Sequence, residues 1–143
     1  DTVTGARGME VTMDEKLSEI DDQCDLVVLP GGIPGVPNLK ENSKVQAMVK
    51  AQNDRGGYVA AICAGPTALG AFGVLADKNA TCYPGCEDQL MAKRHSTEPV
   101  VVDGNVITSR GVGTAIEFAL KLVEILIDRQ TADDLAEKIV YKR

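Results

Sequence analysis

The chain is poor in aromatic rings and histidine: its 143 residues include three Tyr, two Phe, one His and no Trp. So few rings leave little surface on which the bases of single-stranded nucleic acid could stack. Four cysteines, none in a C-x-x-C pair, are too sparse for a disulfide-stapled scaffold and favour a reducing, cytoplasmic compartment. With one histidine and no second cysteine pair besides Cys82 and Cys86, a zinc site is not expected. No apolar run approaches the roughly 18 residues of a membrane span.

The charge balance also limits the choice of partners. Fifteen Lys and Arg face 21 Asp and Glu, for a net charge of −6. A negative protein is repelled by phosphate backbones and anionic lipids, so we expect neither nucleic acid nor a membrane as the main partner. The length suits one domain, and 44% hydrophobic residues suffice for a core.

Strand and helix patterns alternate along the chain. Apolar or alternating runs that stop at glycine, proline or Asp-Gly predict strands at 9–13, 26–29, 58–62, 79–83, 99–103 and 105–109. A helical period predicts helices at 42–53, from 66, at 112–128 and from 131. This alternation predicts an α/β fold with a mostly parallel sheet.

The same patterns predict which side chains are buried. The strand at 9–13 should be half-buried, and the continuous run at 26–29 should be covered on both faces. Ser43 and Gln46 have the spacing of a capping box. On the helix at 112–128, the predicted inward residues are Ile116, Leu120, Val123 and Ile127, and Ala119, Leu122 and Leu126 widen that stripe. On the last helix they are Ala132, Leu135, Ala136 and Ile139.

Cys63 has the most suggestive setting for chemistry. It lies between a predicted buried strand and a helix start, and small residues at 61, 64 and 65 give the spacing of a nucleophile elbow. A thiol at a helix start faces positive backbone dipoles, which favour the thiolate. The simpler interpretation is a small buried hydrophobe that ends an apolar run. The context favours the nucleophile.

Three other features give weaker indications of a role. Gly31 and Gly32 follow a strand end, where backbone amides can face a developing negative charge, although an ordinary tight turn would look the same. His95 lies in a polar stretch and is better interpreted as a surface residue than as a catalytic one. Cys24, beside an aspartate, is expected to be structural.

Three segments together resemble the ThiJ/PfpI superfamily, and most closely the branch of the parkinsonism-associated deglycase and the YajL-type bacterial proteins. They are VVLPGG at 27–32, AAICAGP at 60–66 and TSRGVGT at 108–114, and the likeness runs in order through the whole chain. The resemblance implies a flavodoxin-like, three-layer α/β/α sandwich. It also implies a homodimer in which the elbow cysteine is the reactive centre.

The resemblance also assigns roles to particular residues. Cys63 would be the nucleophile or redox centre, and the backbone amides of Gly32 and Ala64 would form the oxyanion hole. The residues expected to line the substrate site are Gly31, Arg7, Arg110 and Tyr83, with the two arginines near the subunit contact. The simpler interpretation of both arginines is a solvated surface charge.

Two departures from the family pattern affect these expectations. The family's glutamic acid beside the cysteine comes from a segment before this sequence starts, so residues 1–143 are expected to be one domain without its N-terminal strand–helix segment. A separate N-terminal fragment would then be a partner, and the strands at 26–29 and 59–62 would lose cover. Tyr83 stands where several relatives carry histidine, and its phenol is a poor general base at neutral pH.

The expected function is that of a cysteine-dependent enzyme that needs no cofactor and no metal. It would act on small reactive carbonyls, methylglyoxal and its adducts, as a glyoxalase III-type hydro-lyase or protein deglycase, and would protect against oxidative stress. One alternative is a non-enzymatic redox sensor or redox-regulated chaperone in which Cys63 is oxidised. Another is a PfpI-type peptidase or an amidotransferase relative, against which Tyr83 argues because those enzymes need a Cys-His pair.

Overall fold

The computed structural model describes residues 1–21 and 23–142. The chain begins with an antiparallel hairpin of β1 (Thr2–Thr4) and β2 (Glu10–Thr12), which pair only with each other. Every residue of both strands is exposed. The strand expected at 9–13 therefore exists, but the expectation that it is half-buried is wrong, because no other sheet or helix of the described residues covers this hairpin.

Most of the remaining elements match the sequence patterns. The run at 79–83 forms only a two-residue strand, and a helix not expected from the sequence precedes the one expected at 42–53. In chain order the elements are β3 (Leu26–Leu29), α1 (Gly35–Glu41), α2 (Ser43–Asp54), β4 (Tyr58–Ile62), α3 (Pro66–Ala71), β5 (Asn79–Ala80), β6 (Arg94–His95), β7 (Val100–Asp103), β8 (Val106–Ser109), α4 (Ala115–Leu126) and α5 (Arg129–Lys138).

The central sheet has the strand order β3-β4-β8-β7. Strand β4 is parallel to both neighbours, whereas β7 and β8 form an antiparallel hairpin. Within the described residues β3 pairs on one side only, and Val28 is 42% exposed, so the expectation of cover on both faces is wrong there. The expected loss of cover at 59–62 is also wrong, because β4 lies between β3 and β8 and Val59 and Ala61 are fully buried.

Helices cover the two faces of this sheet. Val27 and Leu29 of β3 face the larger apolar cluster, which α1, α2 and α3 complete. Ala60 and Ile107 face the smaller cluster, which Phe118 of α4 completes. The arrangement is the flavodoxin-like sandwich expected from the resemblance. No helix among the described residues has the length and apolarity needed to cross a membrane.

Several details of the helices differ from expectation. Asn42, not Ser43, caps α2: its Oδ1 accepts hydrogen bonds from the N–H groups of Lys44 and Val45. On α4 the smaller cluster contains the expected Leu122, but also Phe118 and Ile125, which were not expected, because the apolar surface of this helix is too broad for period alone to reveal its buried face. The expected inward residues that are instead exposed are Ile116, Ala119, Leu126, Ile127, Leu135 and Ile139.

Candidate active site

The backbone at Cys63 makes a sharp turn between β4 and α3. Its φ of +65° is a left-handed conformation, which costs a non-glycine residue about 1–3 kcal/mol. Two neighbouring segments hold it there: the Cys63 N–H donates to the carbonyl of Ser109 at 3.0 Å, and the Cys63 carbonyl accepts from Tyr83 N–H at 2.8 Å. Gly65 N–H closes the turn on the Ile62 carbonyl at 2.9 Å. This strand–turn–helix geometry is that of a nucleophile elbow.

Two glycines allow the surrounding backbone to approach the elbow closely. A Cβ on Gly31 would lie 2.6 Å from the Cβ of Cys63 and 3.2 Å from the nitrogen of Ala64. A Cβ on Gly65 would lie 2.5 Å from the carbonyl oxygen of Leu29. The loop after β3 and the turn after β4 are therefore packed backbone against backbone, and only glycine fits at these two positions.

Cys63 opens into a small, mainly apolar cavity of about 410 Å³. Its thiol is half-buried, and Gly31 and Gly32 form one wall. Within the described part of the chain, the N–H groups of Gly32 and Ala64 donate to no protein acceptor. Two free donors at an elbow are what a developing oxyanion requires. The other residues that line the cavity are Ile62, Gly111, Val112 and Ala115.

A second cavity, of about 400 Å³, adjoins the first. Tyr83 and Arg110 line it, and the two cavities share Gly111 and Val112. The Tyr83 ring lies over Gly111, where a Cβ would be 3.4 Å from the ring carbon Cδ2. Cys63, Tyr83 and Arg110 therefore lie around one short backbone segment, although the sequence separates them by 20 residues or more.

Charge near the second cavity comes from Arg110 and Glu87. The Arg110 Nε is buried without a hydrogen-bond partner in the described part of the chain. The pKa of the Glu87 carboxyl is lowered, chiefly by its own backbone N–H and by that of Gly85, which donates to it at 2.7 Å. The charges of His95 and Arg110 act in the same direction. Arg110 thus presents a positive group beside the cavity.

The other expected residues lie in different places. Arg7 is in the exposed turn of the β1–β2 hairpin and lines neither cavity. His95 is exposed on β6, as expected for a surface residue. Cys24 is exposed, and its Sγ lies 4.0 Å from the side-chain oxygen of Gln52. The catalytic and binding roles assigned from the resemblance stay predictions.

Two positioning residues had no role in the sequence-based expectation. The hydroxyls of Ser109 and Thr114 lie 2.7 Å apart, and Thr114 Oγ1 accepts from the Gly111 N–H at 3.1 Å. The Ser109 hydroxyl also donates to the Pro99 carbonyl. These bonds hold the Arg110–Gly111 segment against the elbow. The signal was the TSRGVGT segment itself, but nothing in its spacing says that these hydroxyls meet.

Comparisons with known proteins agree with this fold. The model of the DJ-1/PfpI family matches residues 1–125. Parkinson disease protein 7 homolog of Danio rerio is 42% identical over 155 residues, covering 99% of this chain and 82% of the relative. Glutathione-independent glyoxalase DJR-1.2 of Caenorhabditis elegans is 36% identical over 137 residues, covering 94% and 73%. The crystal structure of Drosophila melanogaster DJ-1beta superposes with a TM-score of 0.94 at 38% identity, covering 100% of this chain and 78% of that one. The chain belongs to the DJ-1/PfpI family.

Proposed function

We propose that the protein is a cofactor-free glyoxalase that converts small α-oxoaldehydes such as methylglyoxal into hydroxy acids through Cys63. The observation that carries the proposal is the position of Cys63 at a strained elbow, open to a small cavity and beside the free N–H groups of Gly32 and Ala64. The family relative named as a glutathione-independent glyoxalase supports it. In a glutathione-independent reaction the attacking thiol has to come from the protein, and here it would be the thiol of Cys63.

The first step is addition of the Cys63 thiolate to the aldehyde carbon. A C–S bond forms, the C=O π electrons move onto oxygen, and the product is a hemithioacetal oxyanion. The N–H groups of Gly32 and Ala64 would stabilise that charge, because neither donates to an acceptor among residues 1–21 and 23–142. The cavity of about 410 Å³ accommodates a three-carbon substrate.

The second step moves a proton from the former aldehyde carbon to the neighbouring ketone carbon through an enediol. The result is a thioester of lactate on Cys63, which water hydrolyses to lactate and the free thiol. No electron acceptor is needed, because one carbon is oxidised as its neighbour is reduced. The protonated phenol of Tyr83 would donate a hydrogen bond to an intermediate oxygen, but it is a poor base for the C–H proton.

Deglycation would use the same steps on a different carbonyl source. Methylglyoxal adds reversibly to amines and thiols, and an adduct would first expel its amine or thiol, so that the aldehyde C=O is regenerated for addition of the Cys63 thiolate. Arg110, beside the adjoining cavity, would then face the part of the adduct that extends beyond the Cys63 cavity. We therefore include hemithioacetal and aminocarbinol adducts in the proposed substrate class.

The test is turnover of methylglyoxal without added thiol, followed by formation of lactate. We expect wild-type turnover, loss to the uncatalysed background in Cys63→Ser, and unchanged turnover in Cys24→Ser, whose thiol is exposed outside both cavities. Parallel assays start from the preformed adducts of methylglyoxal with N-acetylcysteine and N-acetyllysine. Absence of lactate with all three substrates, from folded wild-type protein, would contradict the proposal and favour a non-enzymatic redox role for Cys63.

A further inference from the structure

Two cysteines that the proposed reaction does not use lie beside one tight turn, Cys82 before it and Cys86 at its last position. Cys86 N–H donates to the Tyr83 carbonyl at 3.0 Å, Pro84 is the second residue of the turn, and Gly85 has a φ of +92°. These are the features of a type II β-turn, whose ends come within about 7 Å of each other. Cys82 immediately precedes the turn and Cys86 ends it. Because Cys82 adjoins one end of this turn and Cys86 is its other end, the turn folds the chain back so that the two residues lie near each other.

The two side chains share one environment. Cys82 is fully buried in the larger apolar cluster, and the half-buried side chain of Cys86 packs against the same cluster. Burial is the main cause that raises the pKa of the Cys82 thiol to about 11, and the negative charges of Glu87 and Cys86 add to it more strongly than that of Cys63. Of the two neighbouring thiols, Cys86 therefore has the larger effect on the pKa of Cys82.

The two residues at the start of the turn have different surroundings. Tyr83 is exposed, and its ring lines the cavity that adjoins the Cys63 cavity. Cys82, one residue earlier, has no exposed surface and lies in the apolar cluster against which Cys86 packs. Cys82 thus shares its surroundings with Cys86, whereas Tyr83 contributes to the candidate site.

We infer that Cys82 and Cys86 form a reversible dithiol that small-molecule disulfides, such as oxidised glutathione, convert into an intramolecular disulfide. The accessible Cys86 thiolate attacks one sulfur of the glutathione disulfide; an S–S bond forms and one glutathione thiolate leaves. Cys82 then loses its proton to solvent and attacks the Cys86 sulfur, and the second glutathione thiolate leaves. Two protein thiols are oxidised, and one disulfide is reduced to two thiols.

The bridge would act on the candidate active site through Tyr83. This residue begins the turn, and its N–H holds the carbonyl of Cys63 at 2.8 Å. Closing the disulfide removes freedom from the turn that carries the Tyr83 ring. The modification is independent of the thiol of Cys63, so it can be tested whether or not the proposed reaction is correct.

Tryptic peptides separate the possible disulfides cleanly. Cleavage after Arg55, Lys78 and Lys93 leaves Cys63 in peptide 56–78 and both Cys82 and Cys86 in peptide 79–93. The full chain is incubated with increasing ratios of oxidised to reduced glutathione, quenched in acid, unfolded and blocked with N-ethylmaleimide before digestion. We expect peptide 79–93 to lose two hydrogens and carry no maleimide, whereas Cys63 in peptide 56–78 carries maleimide or a glutathione adduct.

Variants identify the order of events. Cys82→Ala should accumulate the glutathione adduct on Cys86, Cys86→Ser should leave Cys82 free, and Cys63→Ser should form the bridge as wild type does. Because Cys82 is buried, each variant is first checked for a native circular dichroism spectrum. The wild-type peptide map tests the inference even if a variant does not fold. The inference is overturned if wild type keeps Cys82 free while Cys86 carries glutathione at every ratio. A disulfide that links peptides 56–78 and 79–93 overturns it as well.

Discussion

Replacing Gly65 by alanine tests how tightly the elbow is packed. Gly65 has ordinary helical backbone angles (φ −52°, ψ −40°), so an alanine there meets no conformational strain and any penalty is steric. Its Cβ would lie 2.5 Å from the Leu29 carbonyl oxygen, 2.9 Å from that of Ile62 and 3.0 Å from that of Pro30. These are backbone atoms at the ends of β3 and β4, which pair in register and cannot separate locally. The neighbours therefore have little room to yield.

Overpacking of this kind costs about 1–3 kcal/mol. The smaller entropy of an alanine in the unfolded chain offsets about 0.4–1 kcal/mol of that. At mid-range values the remainder is about 1.3 kcal/mol. At about 3–4 °C per kcal/mol for a chain of this length, this corresponds to a fall in Tm of roughly 4–5 °C, measured by thermal unfolding followed by circular dichroism. The control is Gly35→Ala at the start of α1, where a Cβ would have no atom within 4 Å and which we expect to be neutral or slightly stabilising. Equal Tm values for the two variants would refute the close approach of the two loops.

Two further predictions concern a helix cap and a buried thiol. Asn42→Ala should lower the free energy of unfolding by about 1 kcal/mol in urea, because Lys44 and Val45 N–H lose their acceptor, whereas Asn42→Asp should keep most of it; equal losses would contradict the cap. Burial raises the pKa of the Cys82 thiol from its ordinary value of 9.0 to about 11, so the folded state favours the protonated thiol. That contribution is complete below pH 9.0 and is lost as the pH rises through about 11. Between those values wild type should therefore lose more stability than Cys82→Ala, and parallel pH profiles of Tm would exclude this cause.

The sequence by itself determined the elements whose signals are local. The run at 58–62 became β4 with the expected bounds, and the hairpin of β7 and β8 formed where two β-branched runs flank Asp103 and Gly104. The small residues on both sides of Cys63 predicted a sharp turn, and the positive φ of Cys63 is that turn. Such features depend on a few consecutive residues, so spacing and residue type suffice to predict them.

Only the tertiary structure decided the features that depend on which elements meet. The apolar surface of α4 extends around most of the helix, so contact with the sheet, not periodicity, selected Phe118 for burial. The two faces of β4 are buried because Val59 and Ala61 lie in the larger cluster and Ala60 in the smaller one. In the candidate site, the meeting of Tyr83 and Arg110 around Gly111, and the approach of Gly32 to Cys63, arise from segments far apart in the chain. Local spacing carries no information about such contacts, because they form only when the strands pair and the loops at their carboxyl ends pack together.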